Sequence, residues 1–178
     1  GSNQSFGNCE RASDISKVVV AGGSLTEIIY YLEADKNLVA RDVTSNYPPE
    51  ARALPSIGYV RNLSTEGMLS LMPSLILGEP DAGPPTVLDQ LREISVDFRI
   101  VSETHNMKGI IDKTACVAKI LGVNDELLDL KIRELRSNIE KLKKTKMLVK
   151  KKKKILLILM MRGTSPIIAG SNTAGDGF

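Results

Sequence analysis

Residues 17–32, KVVVAGGSLTEIIYYL, decide the fold class of this chain. Lys17 to Ala21 has the β-branched composition of a short strand, and two glycines follow it. Ser24 and Glu27, three residues apart, form the pattern of a capping box ahead of an apolar helix from Ile28 to Leu32. The stretch therefore predicts a strand, a tight turn and a helix in immediate succession.

The same alternation of strand and helix continues along the chain. Three further short strands are predicted, at Leu38–Arg41, Ser74–Leu77 and Phe98–Val101. Three further helices are predicted, from Ser64 or Thr65 to Leu71, from Pro84-Pro85 to Ile94 and from Met107 to Leu121. This alternation indicates an α/β fold, a parallel sheet with flanking helices, whose ligands sit outside the carboxyl ends of the strands. The loops at those ends are 22–24, 43–63, 78–84 and 102–106.

A long helix with a continuous apolar stripe is predicted after Gly122. The stripe consists of Leu128, Ile132, Leu135, Ile139 and Leu142. Drawn from Asp125 to Val149, this helix would be roughly 37 Å long at about 1.5 Å per residue. That length suits a rigid connection between two lobes, and it equally suits an ordinary long helix across one domain.

The chain is accordingly predicted to have four segments. They are a disordered N-terminal segment (1–16), an N-terminal α/β ligand-binding lobe (17–122), a long connecting helix (123–150), and the first strand and loop of an incomplete C-terminal lobe (151–178). In the last segment, a run of lysines precedes an apolar strand from Ile155 to Met160, and a loop begins at Arg162.

The charge is distributed unevenly. Residues 141–178 contain ten basic side chains and the single acid Asp176, so the remaining residues are net acidic. Binding to nucleic acid is not expected, because the basic stripe should then lie on the folded lobe beside stacking aromatics, and the chain has no Trp, 4 Tyr and 3 Phe. No apolar stretch reaches the length of a membrane span.

Cysteine and histidine contents restrict the chemistry. Cys9 and Cys116 stand too far apart in sequence, and are too few, for a disulfide framework or a CxxC metal site, and they leave the redox compartment open. His105 is the single histidine, which excludes a cage of three His, and the common hydrolase, zinc-protease and nucleotide-binding motifs are absent. Gly22-Gly23-Ser24 is compatible with an anion cradle, although a tight turn explains the glycines equally well. We therefore predict a binding protein and not an enzyme.

The most informative loop contains two tyrosines, Tyr47 and Tyr59, and Arg61. On an extended stretch, residues 59 and 61 would place their side chains on the same side, where the guanidinium can stabilise a phenolate. A phenolate is a good ligand for ferric iron, and tyrosinate is a known axial ligand of haem. The alternative for such a pair is a packed tyrosine with a hydrogen-bonded hydroxyl and an arginine in water.

These motifs, in this order, resemble the haemin-binding members of the periplasmic binding proteins of ABC importers, the class with a long interdomain helix that also holds cobalamin and ferric-siderophore binders. The resemblance covers Val18 to about Asp176. It rests on VVVAGGSLTEIIYYL, DVTSNYPPEARALPSIGYVRNLSTEGMLSLMPSLIL, AGPPTVLDQL and RGTSPIIAGSNTAGD. The Gly-Tyr-x-Arg and the AGPP segment point to haem, while Tyr-Pro-Pro also occurs in cobalamin relatives.

The resemblance implies a haem cleft in which Tyr59 is the axial ligand of iron and Arg61 polarises that tyrosine or meets a propionate. The other residues that it implies for haem are Tyr47, Ser24, Thr26, Ala82, Gly83, Pro84 and Arg162. Glu66 matches the position whose carboxylate docks onto arginines of the membrane permease, although a carboxylate there also suits the helix dipole.

The resemblance further implies an exported, periplasmic protein whose signal peptide is absent from this sequence. Its implied partners are haem, the permease subunits of an ABC transporter, and an outer-membrane haem uptake system upstream. Two departures from the family pattern are expected to matter. Met160 and Met161 stand where some relatives carry a second-lobe His, and relatives continue for roughly another hundred residues, which is within the usual size of a domain.

Three other functions stay open at this point. One is a cobalamin or ferric-siderophore carrier of the same family. Another is a truncated lobe that binds no small ligand and works through protein contact alone, and the last is an α/β enzyme that uses His105.

Overall fold

This computed structural model contains a four-stranded parallel sheet. The structure describes residues 9–103, 106–144 and 161. The chain divides into two compact units, residues 1–128 and 129–178, and the four strands belong to the first unit.

The strands are β1 (Val18–Ala21), β2 (Leu38–Arg41), β3 (Leu75–Gly78) and β4 (Phe98–Ile100). Their order across the sheet is β2-β1-β3-β4, and each neighbouring pair is parallel. Every residue of β1 and β3 is buried, as expected for the central strands of a parallel sheet that is covered on both faces. The α/β fold predicted from the sequence is confirmed.

Five α-helices are described: α1 (Gly23–Tyr31), α2 (Thr65–Leu69), α3 (Pro85–Glu93), α4 (Met107–Ile120) and α5 (Asp125–Lys144). Two 3-10 turns, which the sequence analysis did not predict, lie at Asp35–Asn37 and Pro49–Ala53. Local chemistry explains several helix starts. The side chains of Ser64 and Asn106 accept hydrogen bonds from the third residue of α2 and of α4, and Pro85 begins α3, where its missing N–H costs nothing.

The predicted capping box at the start of α1 was wrong. The helix begins at Gly23, immediately after the strand, and Gly22 at its N-cap offers no side chain. Ser24 is already inside the first turn, and its backbone N–H and hydroxyl both donate to Glu79, which follows β3. A carboxylate from a neighbouring strand therefore satisfies the donors that a local cap would have satisfied.

The two faces of the sheet pack against different elements, because successive strand residues point in opposite directions. Val19 and Ala21 belong to a core cluster with Ile76 and with the buried side chains Met68 of α2 and Leu91 of α3. The loop residues Val60 and Leu63 also belong to this cluster. The loop that carries Tyr59 is thus anchored in the core by two residues that closely follow this tyrosine.

Helix α5 confirms the predicted stripe as far as it is described. Asn124 caps the helix by accepting a hydrogen bond from the Glu126 N–H at 2.8 Å, and Leu135, Ile139 and Leu142 are buried. Among the described residues, no helix is both long and apolar enough to cross a membrane.

Several predictions concern residues outside those that the structure describes. They are the N-terminal residues 1–8 of the predicted disordered segment, the end of the long helix beyond Lys144, the lysine run with the strand and loop that follow it, and the single residues His105, Met160 and Arg162. The four segment boundaries stay predictions.

Cys9 and Cys116 form a disulfide bond that joins the N-terminal segment to α4. The expectation drawn from their separation in sequence was therefore wrong. They are 107 positions apart in the chain, yet their Cα atoms are 5.0 Å apart. Residues 9–12 lie beside the C-terminal half of α4, where the Ala12 N–H donates to the Ile120 carbonyl at 3.0 Å. Tertiary folding, which sequence spacing does not reveal, brings the two thiols together.

Removal of this bond by the double change Cys9→Ser and Cys116→Ser is expected to lower the free energy of unfolding by up to about 4.7 kcal/mol. The reason is that a crosslink that closes a loop of about 100 residues removes that much chain entropy from the unfolded state. Urea unfolding with and without reductant measures the loss. Reductant should lower the midpoint of the unmodified chain and leave the double variant unchanged; a midpoint indifferent to reductant in both proteins would contradict the prediction.

Candidate functional site

The loops that follow the four strands meet at one edge of the sheet. Parallel strands end at the same edge, so the turn after β1, the long loop after β2, the loop 79–84 after β3 and residues 101–103 after β4 are neighbours. Two carboxylates, Asp42 and Glu79, stand directly after β2 and β3 and hold these loops together.

Asp42 is a fully buried acid that joins the β2 loop to the turn after β1. Its carboxylate accepts hydrogen bonds from the Gly22 N–H at 2.9 Å and the Thr44 N–H at 3.0 Å, and from the hydroxyls of Thr44 and Ser45. The Thr26 hydroxyl lies 2.8 Å from Ser45 Oγ. Thr26 is itself fully buried, so it supports the floor of the site from beneath and does not line its surface.

Glu79 is seated at the N-terminus of α1. One of its carboxylate oxygens, Oε1, accepts the Ser24 N–H at 3.0 Å, the Leu25 N–H at 3.2 Å and the Ser24 hydroxyl. Lys113 of α4, with only 4% of its side chain exposed, places its Nζ 3.6 Å from this oxygen and donates to Ser24 Oγ. The same Nζ lies 3.6 Å from an oxygen of Glu103, which follows β4. Three strand ends are thus joined through one buried lysine.

Tyr59 lies on a tight turn at this edge, and 47% of its surface is exposed. The Asn62 N–H donates to the Tyr59 carbonyl at 2.9 Å, which closes the turn. Gly58, just before it, has φ +93°, a conformation that glycine adopts without strain. The prediction of an extended Tyr-x-Arg stretch was therefore wrong, because residues 60 and 61 are the central residues of a turn.

The Tyr59 turn is locked to the loop 79–84 through the backbone. The Gly83 N–H donates to the Val60 carbonyl at 3.0 Å, and the Leu63 N–H donates to the Gly83 carbonyl at 2.8 Å. The exposed Arg61 pairs with Asp81 of the same loop, with 3.4 Å between Nε and Oδ2. The structure thus brings together Tyr59, Arg61 and the segment Ala82 to Pro84.

The other tyrosines differ from Tyr59 in their surroundings. Tyr47 is half-buried and precedes the buried Pro48, with which it forms a cis peptide bond. Tyr30 lies on α1, where burial raises the pKa of its phenol, and the carboxylates of Asp35 and Glu50 raise it further. This raised pKa disfavours the phenolate form of Tyr30, so Tyr30 is less suited to bind ferric iron.

Glu66 lies in the first turn of α2, three residues after Leu63, and is exposed. It borders an open groove of about 640 Å³ between α2 and α3. The groove combines the apolar side chains Leu69 and Ile94 with a second acid, Glu93. The Thr65 hydroxyl donates to Gln90 Oε1 at 2.5 Å and holds the two helices together.

Sequence reasoning missed four residues that organise the site: Asp42, Glu79, Asp81 and Lys113. Asp42 and Glu79 carried a detectable signal, since each is a charged residue that stands directly after a strand, β2 or β3. Lys113 also carried one, because it occupies the inward-facing stripe of α4 between Gly109 and Val117, which are both buried. Among the described residues, no group of His, Cys, Asp and Glu side chains is arranged to hold a metal ion.

The chain belongs to the periplasmic binding protein family, whose model matches residues 18–178. This is a family of substrate-binding transport proteins and not a class of enzymes. The family predicted from the sequence motifs is therefore confirmed.

Relatives that bind different ligands resemble this chain. The vitamin B12-binding protein of Vibrio vulnificus (strain YJ016) is 27% identical over 139 residues, which are 75% of this chain and 48% of that protein. The apo form of the periplasmic heme-binding protein RhuT from Roseiflexus sp. RS-1 is 35% identical, with a TM-score of 0.66 over 70% of this chain and 48% of that one. A periplasmic heme-binding protein from Pseudomonas aeruginosa is 32% identical, with a TM-score of 0.63 over 70% and 46%. The chain spans about half the length of these relatives.

Replacement of Asp42 by Ala is expected to destabilise the first unit by about 3 kcal/mol, because it leaves several buried donors without an acceptor. Chemical denaturation followed by circular dichroism measures this change. The matched control is Asp89→Ala on α3, where the acid is exposed and pairs with Arg92 at 3.4 Å, and where the loss should stay below about 1 kcal/mol. Equal losses in the two variants would show that Asp42 does not organise the strand ends.

Proposed function

We propose that this chain is the haem-binding lobe of a periplasmic protein that delivers haem to an ABC importer, with Tyr59 as the ligand of the iron. The observation that carries the proposal is the position of Tyr59. It is an exposed tyrosine on a turn that backbone hydrogen bonds hold at the ligand-facing edge of a parallel sheet.

The chemistry of the turn suits haem. A phenolate oxygen is a hard donor for ferric iron, and tyrosinate serves as an axial haem ligand in other proteins. Arg61 lies two residues away and carries a permanent positive charge that can meet a propionate. Its partner Asp81 is partly exposed, so the ion pair is weak and can exchange for a ligand carboxylate. The similarity to two heme-binding structures at 35% and 32% identity supports the same ligand class.

A periplasmic location agrees with the disulfide. Structural disulfides form and persist in oxidising compartments, of which the bacterial periplasm is one. Cys9 and Cys116 are paired, and no other cysteine is present in the chain. The bond and the family membership thus support the same location by independent routes.

Vitamin B12 is the second candidate ligand. It is favoured by the similarity to the vitamin B12-binding protein of Vibrio vulnificus, which extends over 75% of this chain. The two candidates differ in what they require of Tyr59, because only haem offers an iron atom for the phenolate.

Haemin titration of the Tyr59→Phe variant tests the proposal. Loss of the phenolate ligand is expected to change the visible absorption spectrum of the complex and to weaken binding by at least about tenfold, or about 1.4 kcal/mol. Tyr30→Phe is the matched control, since it removes the same hydroxyl from a tyrosine that is less suited to bind iron, and it should leave spectrum and affinity unchanged. Should Tyr59→Phe behave like the control, Tyr59 is not the ligand. A thermal shift with cyanocobalamin and none with haemin would support the second candidate.

We further propose that Glu66 and its groove contact the permease. Glu66→Lys is expected to weaken binding to membranes that carry the cognate permease by about tenfold, since charge reversal at a rim contact turns attraction into repulsion. Glu126→Lys is the matched control, because Glu126 is also exposed and occupies the same first-turn position in α5. Co-sedimentation measures both variants. Equal binding by the two would exclude Glu66 from the contact.

A further inference from the structure

We infer that Glu79 is an internal anion that closes the N-terminus of α1 to the anionic groups of a ligand. This role would make it a specificity-determining residue of the site. The closure is independent of which ligand binds, whereas its consequence for haem rests on the proposed function.

Without Glu79, the N-terminus of α1 would attract the anionic group of a ligand. The helix starts directly after β1, a central strand, at the edge where ligands bind in parallel α/β sheets. The free N–H groups of a helix's first turn and its dipole attract carboxylates and phosphates. In this chain the Ser24 and Leu25 N–H groups already donate to Glu79, at 3.0 and 3.2 Å. Two of the donors that a ligand anion would use are therefore occupied.

Glu79 also occupies the space over the turn between β1 and α1. Gly22 has φ +146°, and a Cβ atom at this position would lie 2.3 Å from Cγ of Glu79. Only glycine therefore leaves room for the glutamate side chain over the turn. This space over the turn, beside the Ser24 and Leu25 N–H groups, is the seat that the Glu79 side chain occupies.

The cation beside this turn is already paired with acids. Lys113 is the buried cation beside the seat, and two carboxylates, Glu79 and Glu103, each lie 3.6 Å from its Nζ. The charge of Lys113 is thus shared between two carboxylates, which weakens its attraction for a further anion. Because two first-turn donors are occupied and the adjacent cation is already paired, a ligand carboxylate is directed away from the first turn of α1.

A rescue experiment tests the closure without any transported ligand. Glu79→Ala removes the internal carboxylate and leaves the donors and Lys113 around an empty seat. Sodium acetate is compared with sodium chloride at equal ionic strength. At an acetate concentration about ten times the Kd of acetate for this variant, acetate should raise the Tm by about 3 °C or more. The unmodified chain should show no such difference between the two salts.

Two controls make the rescue specific. In Glu79→Gln the side chain keeps the length of the glutamate and still occupies the seat, so acetate should have no effect beyond that of chloride. In the double variant Glu79→Ala and Lys113→Met the cation is also gone, and the rescue should be lost. If Glu79→Ala does not fold in chloride, its refolding yield in acetate against chloride becomes the readout. Equal acetate responses of Glu79→Ala and the unmodified chain, or equal refolding yields in the two salts, would overturn the inference.

The consequence for ligand choice is tested with haemin and haemin dimethyl ester, in which both propionates are methylated and carry no charge. The affinity ratio of haemin to its ester should rise by about tenfold in Glu79→Ala, because a new seat for a carboxylate has opened. An unchanged ratio would exclude a role of Glu79 in specificity. Failure of the unmodified chain to bind either compound would overturn the proposed function instead, and the acetate rescue would still decide whether Glu79 closes the helix.

Discussion

The backbone N–H groups of the turn between β1 and α1 bind two carboxylates, and the rest of the site depends on this interaction. Asp42 binds the turn from the side of β2, through the Gly22 N–H, and Glu79 binds it from the side of β3, through the Ser24 and Leu25 N–H groups. Because β1 lies between β2 and β3 in the sheet, the two acids reach the same turn from opposite sides. The short turn between β1 and α1 is thus held in place from two neighbouring strands.

The loop 79–84 connects this turn to the segment that carries the exposed Tyr59. One end of the loop is held by Glu79 in the first turn of α1, and its middle is held by the reciprocal backbone hydrogen bonds between Gly83 and the residues Val60 and Leu63. Both residues are buried in the core, Val60 within the turn that presents Tyr59 and Leu63 directly after it. Tyr59, the proposed iron ligand, thus lies on a surface loop that is fixed to the sheet, as ligand sites on rigid scaffolds require.

Much of the lobe could be predicted from local patterns. The strand Leu38–Arg41 has the predicted bounds, and the strand Val18–Ala21 and the helix Pro85–Glu93 differ from prediction by one residue at one end, because short apolar runs and prolines act on their immediate neighbours. The start of α1 was mispredicted, since its cap comes from Glu79, 55 positions beyond Ser24. The shape of the Tyr59 turn was mispredicted for a related reason, because its hydrogen bonds go to Gly83. For the candidate site, Tyr59, Arg61 and the AGPP segment were predicted from the sequence and stay predictions, while Asp42, Glu79 and Lys113 were not predicted.

The sequence by itself determined the class of fold, the family and the strand ends at which a site should lie, because hydrophobic periodicity and turn residues act over a few positions and the motifs occur in a characteristic order. Only the tertiary structure decided how the polar residues are paired. Cys9 meets Cys116, Arg61 meets Asp81, and Lys113 lies between two glutamates. Each of these pairings joins residues that are distant in sequence and adjacent in space, and a charge or a thiol reveals its partner only when the strand order has placed the two side by side.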